Sequence, residues 1–347
     1  MTRTIPFALM GLGNIGRNLL DILVHRQTAI EKDFDLRFVL VGAADSTGAA
    51  ISADGLDMAQ LRDMKSQRQG AATYPGAGHP GMSPLDMIDR LVAFILVDAA
   101  PTNLEHGDPG LSCQRHAMEK GWHIVAADKG PLVLAYSDLM ARARQQGVRI
   151  LFSGTVAGGL PTVNIGARDL AGSGVTKVEG ILNGTTNYIL TRMADEGLPY
   201  ETALQGAQNV GIAEANPSLD VDGWDAASKL VIVANSVLRR PTALSDLKVE
   251  GIRNVTAEDI AQAKSRGEVI KLIALAERQG DDYALSVAPR ALPENHILAR
   301  TGIWDMAVAY HTDYMGVISA IIEEKGPVPT SAAVLRDMIT LYTDGWF

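Results

Sequence analysis

The chain has 347 residues, 47% apolar and 20% charged, with aromatics at 5% and 34 glycines, enough length for two domains with aliphatic cores and many turns. Its formal net charge of −9 argues against a nucleic-acid partner, which would bind a basic face. No run of about 18 apolar residues predicts a membrane span, no signal-peptide pattern opens the chain, and the lone Cys113 allows neither an intrachain disulfide nor a thiolate metal cluster, the profile of a cytoplasmic protein.

In chain order, the apolar run IPFALM predicts a strand, GLGNIG a turn, and RNLLDILVHR an amphipathic helix. The G-x-G-x-x-G pattern places Gly11, Gly13 and Gly16 around Asn14 and Ile15. Between a strand and a helix, such glycines supply a tight turn, close approach of backbone to a pyrophosphate, and close helix–strand packing. The free N–H groups of the helix start then face the phosphates. The next apolar run, LRFVLVGAAD, ends at Asp45. An acid there can accept hydrogen bonds from a ribose 2′-OH, favouring NAD over NADP, or can serve as a strand-end turn residue. Residues 52–84, polar and ending in clustered Gly and Pro, predict a helix followed by a mobile loop. The run RLVAFILVDAAPTN predicts a strand stopping at Asp98, followed by a helix and the strand WHIVAAD. These spacings imply right-handed parallel crossovers, which puts Asn103 and Lys129 just past carboxyl ends of strands, where open α/β sheets bind ligands. Lys129 is there either as a ligand contact or as a surface charge; the rigid Gly130-Pro131 after it favours contact.

DLMARARQQGV and RILF predict a helix and a strand before SGTVAGGLP, a glycine-rich crossing between domains. KVEGIL predicts a strand, and the polar turn NGTTN, with Asn183 and Thr185, opens a helix it can cap or aims amides and hydroxyls at a ligand. A helix over YETALQGAQNVGIA stops before Glu214 and Pro217, and another carries the stripe Ala227, Leu230, Val231, Ala234 and Leu238. Asp225 and Lys229 share a face of it, four apart, as a surface ion pair or as part of a pocket with Glu214 and Asp220. Beyond residue 245 the pattern predicts helices through AEDIAQAKSRGEVIKLIALAERQ, then antiparallel strands over YALSVAPRAL, WDMAVAYHT and YMGVISAIIEE, and a last helix over PTSAAVLRDMITLYT.

The blocks VDAAPTNLEHGDPG, HIVAADKGPL, GTVAGGLP, GILNGTTNYILTRM, GIAEANPSLDVDGWDAASKL and PTSAAVLRD stand in the order they have in homoserine dehydrogenases, and together they span roughly residues 8–340. The chain resembles that family in its short form, without an appended regulatory domain. The resemblance implies interconversion of homoserine and aspartate 4-semialdehyde with NAD or NADP, steps of threonine and methionine biosynthesis. It implies an α/β fold: a Rossmann-type parallel-sheet domain over 1–152 plus 327–347, and an α/β substrate-binding and dimerisation domain over 153–326 with a mixed or antiparallel sheet. It also implies a homodimer and no feedback response to threonine. On this resemblance Lys229 and Lys129 are the catalytic lysines, the latter also touching the cofactor; Glu214, Asp220, Asp225, Asn183 and Thr185 line the amino-acid site. Gly11, Gly13, Asn14, Ile15, Gly16, Asp45 and Asn103 hold the dinucleotide. An amino-acid substrate brings an ammonium that wants carboxylates, and two lysines near one oxygen would lower the basicity of each. Three departures from the family pattern stand out: Asp128 where Asn is usual, Asn216 where an acid is usual, and IIEEKGPVP in place of a glycine-rich segment. Ser153 replaces a Glu found in a cation-binding turn, and no metal is expected. Two other readings stay open: a dehydrogenase of another hydroxy or amino acid, and a non-catalytic dinucleotide sensor, which has no use for the two lysines.

Overall fold

A computed structural model describes residues 2–343, so Met1 and 344–347, counted above with the first domain, lie outside the described residues. The chain forms two compact units, one reaching to Gly159 and resuming at Pro327, the other running from Leu160 to Gly326. The crossing thus falls seven residues later than the expected boundary at 152/153. Ser153 explains the difference, since its N–H and hydroxyl both donate to the carboxylate of Asp337, at 2.7 and 2.5 Å, binding this turn to the C-terminal helix Val328–Thr343.

In the first unit, β1 (Arg3–Met10), β2 (Leu36–Asp45), β3 (Gly48–Ile51), β4 (Gly78–Pro80), β5 (Ile95–Asp98), β6 (His123–Ala126) and β7 (Ile150–Leu151) form one sheet in the order β4-β3-β2-β1-β5-β6-β7. The strands from β2 to β7 in that order are parallel, as continuous apolar runs separated by helices require. The edge differs from expectation. Residues 48–80 include two short antiparallel strands, β3 and β4, rather than only a helix and a loop. Asp45 is the cause: its carboxylate accepts from the N–H and hydroxyl of Thr47, an Asx-type turn that folds the chain back beside β2. Leu19, Leu20 and Leu23 of the helix Asn14–Phe34 join Ile5, Phe7 and Leu9 of β1 and Val334 and Met338 of the C-terminal helix in one core.

The second unit contains β8 (Val175–Ile181), β9 (Lys248–Val249), β10 (Glu268–Gln279), β11 (Asp282–Pro293), β12 (Asp305–Thr312) and β13 (Val317–Glu323), ordered β13-β12-β8-β10-β11-β9. All pairings are antiparallel except β11 with β9, a mixed sheet. Here the helix expected through residue 279 is corrected: it ends at Ser265, and Gly267, at φ 69, turns the chain into β10. The interior strand is apolar on both faces over Leu272–Ala274, so the alternation that marks a strand was masked by a continuous apolar run.

Candidate active site

The glycine turn after β1 gives its three glycines different surroundings. Gly11 has φ +93, and a Cβ there would lie 2.2 Å from the carbonyl oxygen of Ala99, so the loops after β1 and β5 touch backbone to backbone. These two parallel strands diverge in connection, which makes the spot outside their carboxyl ends the topological switch point of the sheet. A Cβ on Gly16 would come 2.0 Å from the oxygen of Gly11, so only glycine lets the helix start beneath the turn. At Gly13 a Cβ would meet nothing within 4 Å. No side chain caps the helix Asn14–Phe34, and Gly13 and Asn14 are exposed while Ile15 packs on the core. A 21-residue helix therefore presents uncapped N–H groups and its positive dipole end over an open glycine, which fits a dinucleotide pyrophosphate.

Asp45 sits at the end of β2, but its oxygens are engaged within the chain. One accepts from Thr47; the other accepts from Lys65 Nζ at 2.7 Å and the Ala71 N–H at 3.1 Å. Burial opposes its ionisation, but Lys65, Thr47 and Ala71 outweigh burial and hold its pKa below the ordinary value. Asn103 is also committed locally: its Oδ1 accepts from the N–H groups of Glu105 and His106 at 2.9 and 3.1 Å. Lys129 begins the helix Gly130–Gln146, and its N–H lies 3.4 Å from Thr102 Oγ1. The adjacent Gly130 packs so closely that a Cβ would fall 2.4 Å from the Asn103 oxygen.

The second unit gathers most of the predicted substrate residues into one cluster. Gly223, at φ +86, starts the helix Trp224–Ser236, which sends Asp225 and Lys229 out on the same side. Lys229 Nζ lies 2.7 Å from Asp225 Oδ2, and both side chains are only 12% exposed; this is a sheltered pair, unlike the solvated i,i+4 pairs that contribute little. The same Nζ donates to the carbonyl of Leu182 at 2.6 Å. Asn183 bridges the acids, its Nδ2 donating to Asp220 Oδ1 at 2.7 Å and Asp225 Oδ2 at 2.8 Å. Its Oδ1 caps the helix Gly184–Glu196 by accepting from the Thr186 N–H at 2.8 Å. Burial and the charge of Asp225 raise the pKa of Asp220, partly offset by Asn183, Lys229 and Thr185. Thr185 also donates to Ile212 O at 3.0 Å, tying the loop before Glu214 to the cluster. Glu214 itself stands exposed on that loop, outside the hydrogen-bonded group.

Sequence reasoning missed two groups. Lys271, 1% exposed, donates to Asn187 Oδ1 at 2.8 Å, Thr191 Oγ1 at 2.9 Å and Thr301 O at 3.2 Å, and burial lowers its pKa to about 8. The signal was a lone cation in the apolar run EVIKLIALAE. The other is the pairing of Asp98 with Asp128, each noted singly in the sequence and both buried. Among the described residues no group of His, Cys, Asp and Glu is arranged to hold a metal, and no helix is long and apolar enough to cross a membrane.

A family model for homoserine dehydrogenase matches residues 161–339. The chain is 37% identical over 334 residues to a homoserine dehydrogenase of Methanocaldococcus jannaschii, covering 96% of this chain and 97% of that one. It is 33% identical to an NAD(+)-dependent homoserine dehydrogenase of Pseudomonas canavaninivorans, covering 96% and 95%. It superposes on the crystal structure of an Archaeoglobus fulgidus homologue with TM-score 0.88 at 34% identity, covering 97% and 99%. With the glycine turn at the switch point and the lysine–carboxylate cluster beside NGTTN, these likenesses settle the kinship: the chain belongs to the homoserine dehydrogenase family, NAD(P)-dependent oxidoreductases acting on a CH–OH group.

Proposed function

We propose that the chain interconverts L-homoserine and L-aspartate 4-semialdehyde, with Lys229 handling the proton of the reacting oxygen. The observation that carries this is the sheltered contact of Lys229 with Asp225, itself bridged through Asn183 to Asp220. A substrate with an ammonium at one end and an alcohol at the other needs acids and a proton-transfer group within one small space. Asp220, with Glu214 on its tethered loop, receives the ammonium. As an amine, Lys229 takes the hydroxyl proton during oxidation; as an ammonium it donates to the aldehyde oxygen during reduction. Gly11, Gly13, Asn14, Ile15 and Gly16 would hold the dinucleotide, with Asp45, Asn103 and Lys129 beside it; the bound nicotinamide supplies or accepts the hydride. Asp45 at the end of β2 would favour NAD over NADP only where a ribose hydroxyl displaces Lys65 or Thr47 from its oxygens.

The test is NAD(P)H formation with homoserine against a panel of other hydroxy amino acids, with NAD+ and NADP+ compared. Turnover of homoserine with NAD+ is expected; turnover of another panel member without homoserine would overturn the substrate. The chain is further read as a cytoplasmic homodimer. Support comes from the edge strand β13, which leaves Val317 and Ile321 exposed at 58% and 43%, apolar surface suited to a partner. Sedimentation at micromolar concentration should give twice the chain mass.

A further inference from the structure

Asp98 ends β5, and Asp128 stands one residue before Lys129. Both side chains are buried, at 0% and 1% exposure. A Cβ placed on Gly110 would lie 2.6 Å from Asp128 Oδ2 and 2.8 Å from Asp98 Oδ2. Both oxygens crowd that one point, which puts them within the ~6 Å over which one carboxylate suppresses the ionisation of another. The hydrogen bonds given for them come from neutral groups. Asp98 accepts from Gln114 Nε2 at 2.8 Å and the Ala100 N–H at 3.1 Å; Asp128 accepts from the Gly130 N–H at 2.9 Å and from Thr102. The titratable groups facing them are the Cys113 thiol from the helix Gly110–Glu119, with Asp108 beyond it, and Lys129 on the turn itself. Two buried charges of one sign at this spacing are costly, and one proton between them removes most of that cost.

We propose that Asp98 and Asp128 share one proton near neutral pH and, as a pair, position the turn that carries Lys129. Several details agree. Gln114 Oε1 is buried without a partner; rotating that amide would turn it into an acceptor for a protonated Asp98. Asp128 reaches both sides of the turn, holding Gly130 through its amide and Thr102 through its hydroxyl. Thr102 in turn meets the Lys129 N–H, and Gly130 packs on Asn103. Loss of the shared proton leaves two like charges under this turn and pushes 98–103 away from 128–130. Burial, first of all, raises both acids above the ordinary carboxylate range. Acids raised in the folded state lend stability that is full below their unfolded values and is lost as pH rises through the folded ones. The turn therefore loosens from the acid side of neutrality upward.

The consequence for nucleotide binding rests on the reading of Lys129 given above; the shared proton does not. The experiment uses the full chain with carboxyl-13C aspartate, comparing wild type, Asp128→Asn and Asp98→Asn without nucleotide, and then measures NAD+ affinity at pH 6 and pH 9. One carboxyl should titrate well above the ordinary range in wild type, and the Asp98 midpoint should fall by about one unit or more in Asp128→Asn. The protection of the Gly130 amide should decline from pH 6 to pH 9 in wild type and stay level in Asp128→Asn. Both acids titrating in the ordinary range, or an Asp98 midpoint unmoved by Asp128→Asn, would overturn the shared proton. Gly130 protection that is level with pH in wild type would overturn the positioning role. If protection declines as expected while NAD+ affinity is the same at both pH values, the pair stands and the nucleotide role of Lys129 falls.

Discussion

Asn183 is the most informative single residue to remove, because it joins a helix cap to two carboxylates. Replacing it with Ala deletes the acceptor for the Thr186 N–H, a cap worth about 1 kcal/mol. It also deletes two donors to acids, at 2.7 and 2.8 Å; hydrogen bonds to charged groups contribute roughly 1.5–3 kcal/mol each, and water entering the vacated space returns part of that. The expected total is about 3–4 kcal/mol. Asn183→Ser keeps a capping oxygen but cannot bridge the acids, so it should cost about 1 kcal/mol less. For a unit of the size of the second one, about 1 kcal/mol moves Tm by ~2–4 °C. Scanning calorimetry should thus show the transition of this unit lowered by about 10 °C in the Ala variant and ~3 °C less in the Ser variant. The pH dependence has a sign. Asp220 already has a raised pKa, chiefly from burial and Asp225, and Asn183 is one of the groups restraining that rise. Its removal lifts the folded value further, so the added deficit appears as pH rises above the ordinary carboxylate range, and in acid only the cap loss remains. Variants within about 2 °C of wild type, or a Ser variant no better than Ala, would refute this account of the bridge.

The other predictions concern separate parts of the two units. Lys229→Ala should lower kcat by at least ~100-fold with KM changed only severalfold, since its contact with the reacting oxygen strengthens in the transition state; steady-state rates with homoserine and an unchanged kcat would defeat the role. Gly11→Ala should unfold the nucleotide unit or abolish its binding, because the new Cβ meets Ala99 backbone at 2.2 Å. Gly13→Ala has open space and should keep the melting temperature while weakening NAD+ binding; equal effects of the two would remove the distinction drawn between the glycines. Lys271→Met leaves three buried acceptors without their donor and should cost at least ~2 kcal/mol at pH 7. Burial lowers this lysine from 10.5 to about 8, so wild type gains stability between those values and the deficit of the variant should widen there; a constant deficit in denaturation across that range would refute it.

Much of the fold was legible because its signals are local. Gly11 and Gly16 stand where close backbone contact leaves little choice, Gly11 by its φ as well, and the apolar runs that became β1, β2, β5 and β6 are bounded by turns. β10 was not legible. Its apolar residues run without alternation because the strand is interior. The edge strands β3 and β4 were hidden for the opposite reason: four and three residues cannot establish a period, and what makes them is the Asx turn at Asp45. In the candidate site, i,i+4 spacing brought Asp225 and Lys229 together on paper, but nothing local could reveal that Asn183 would bridge Asp225 to Asp220. Nor could spacing show that Asp45 would spend its oxygens on Lys65, Thr47 and Ala71, or that Asp98 and Asp128, thirty positions apart, would meet over Gly110.

The segment Asn183–Asn187 shows why the substrate cluster is stiff. Burying Asn183, Thr185, Thr186 and Asn187 together is unfavourable unless each polar atom finds a partner, and here the partners lie in separate parts of the second unit. Asn183 reaches Asp220 and Asp225, Thr185 the carbonyl of Ile212, and Thr186 the cap itself. Asn187 donates to the carbonyls of Gly302 and Asp305 at 2.8 and 2.9 Å and accepts from Lys271. One helical turn therefore fastens the acid-bearing segment, the Glu214 loop, the turn before β12 and the strand β10 to a common frame. A network of this kind is held in place only when fully satisfied, so its stiffness depends on its most distant member. Lys271 thus reaches, through Asn187, the same helical turn whose first residue, Asn183, bridges Asp220 and Asp225.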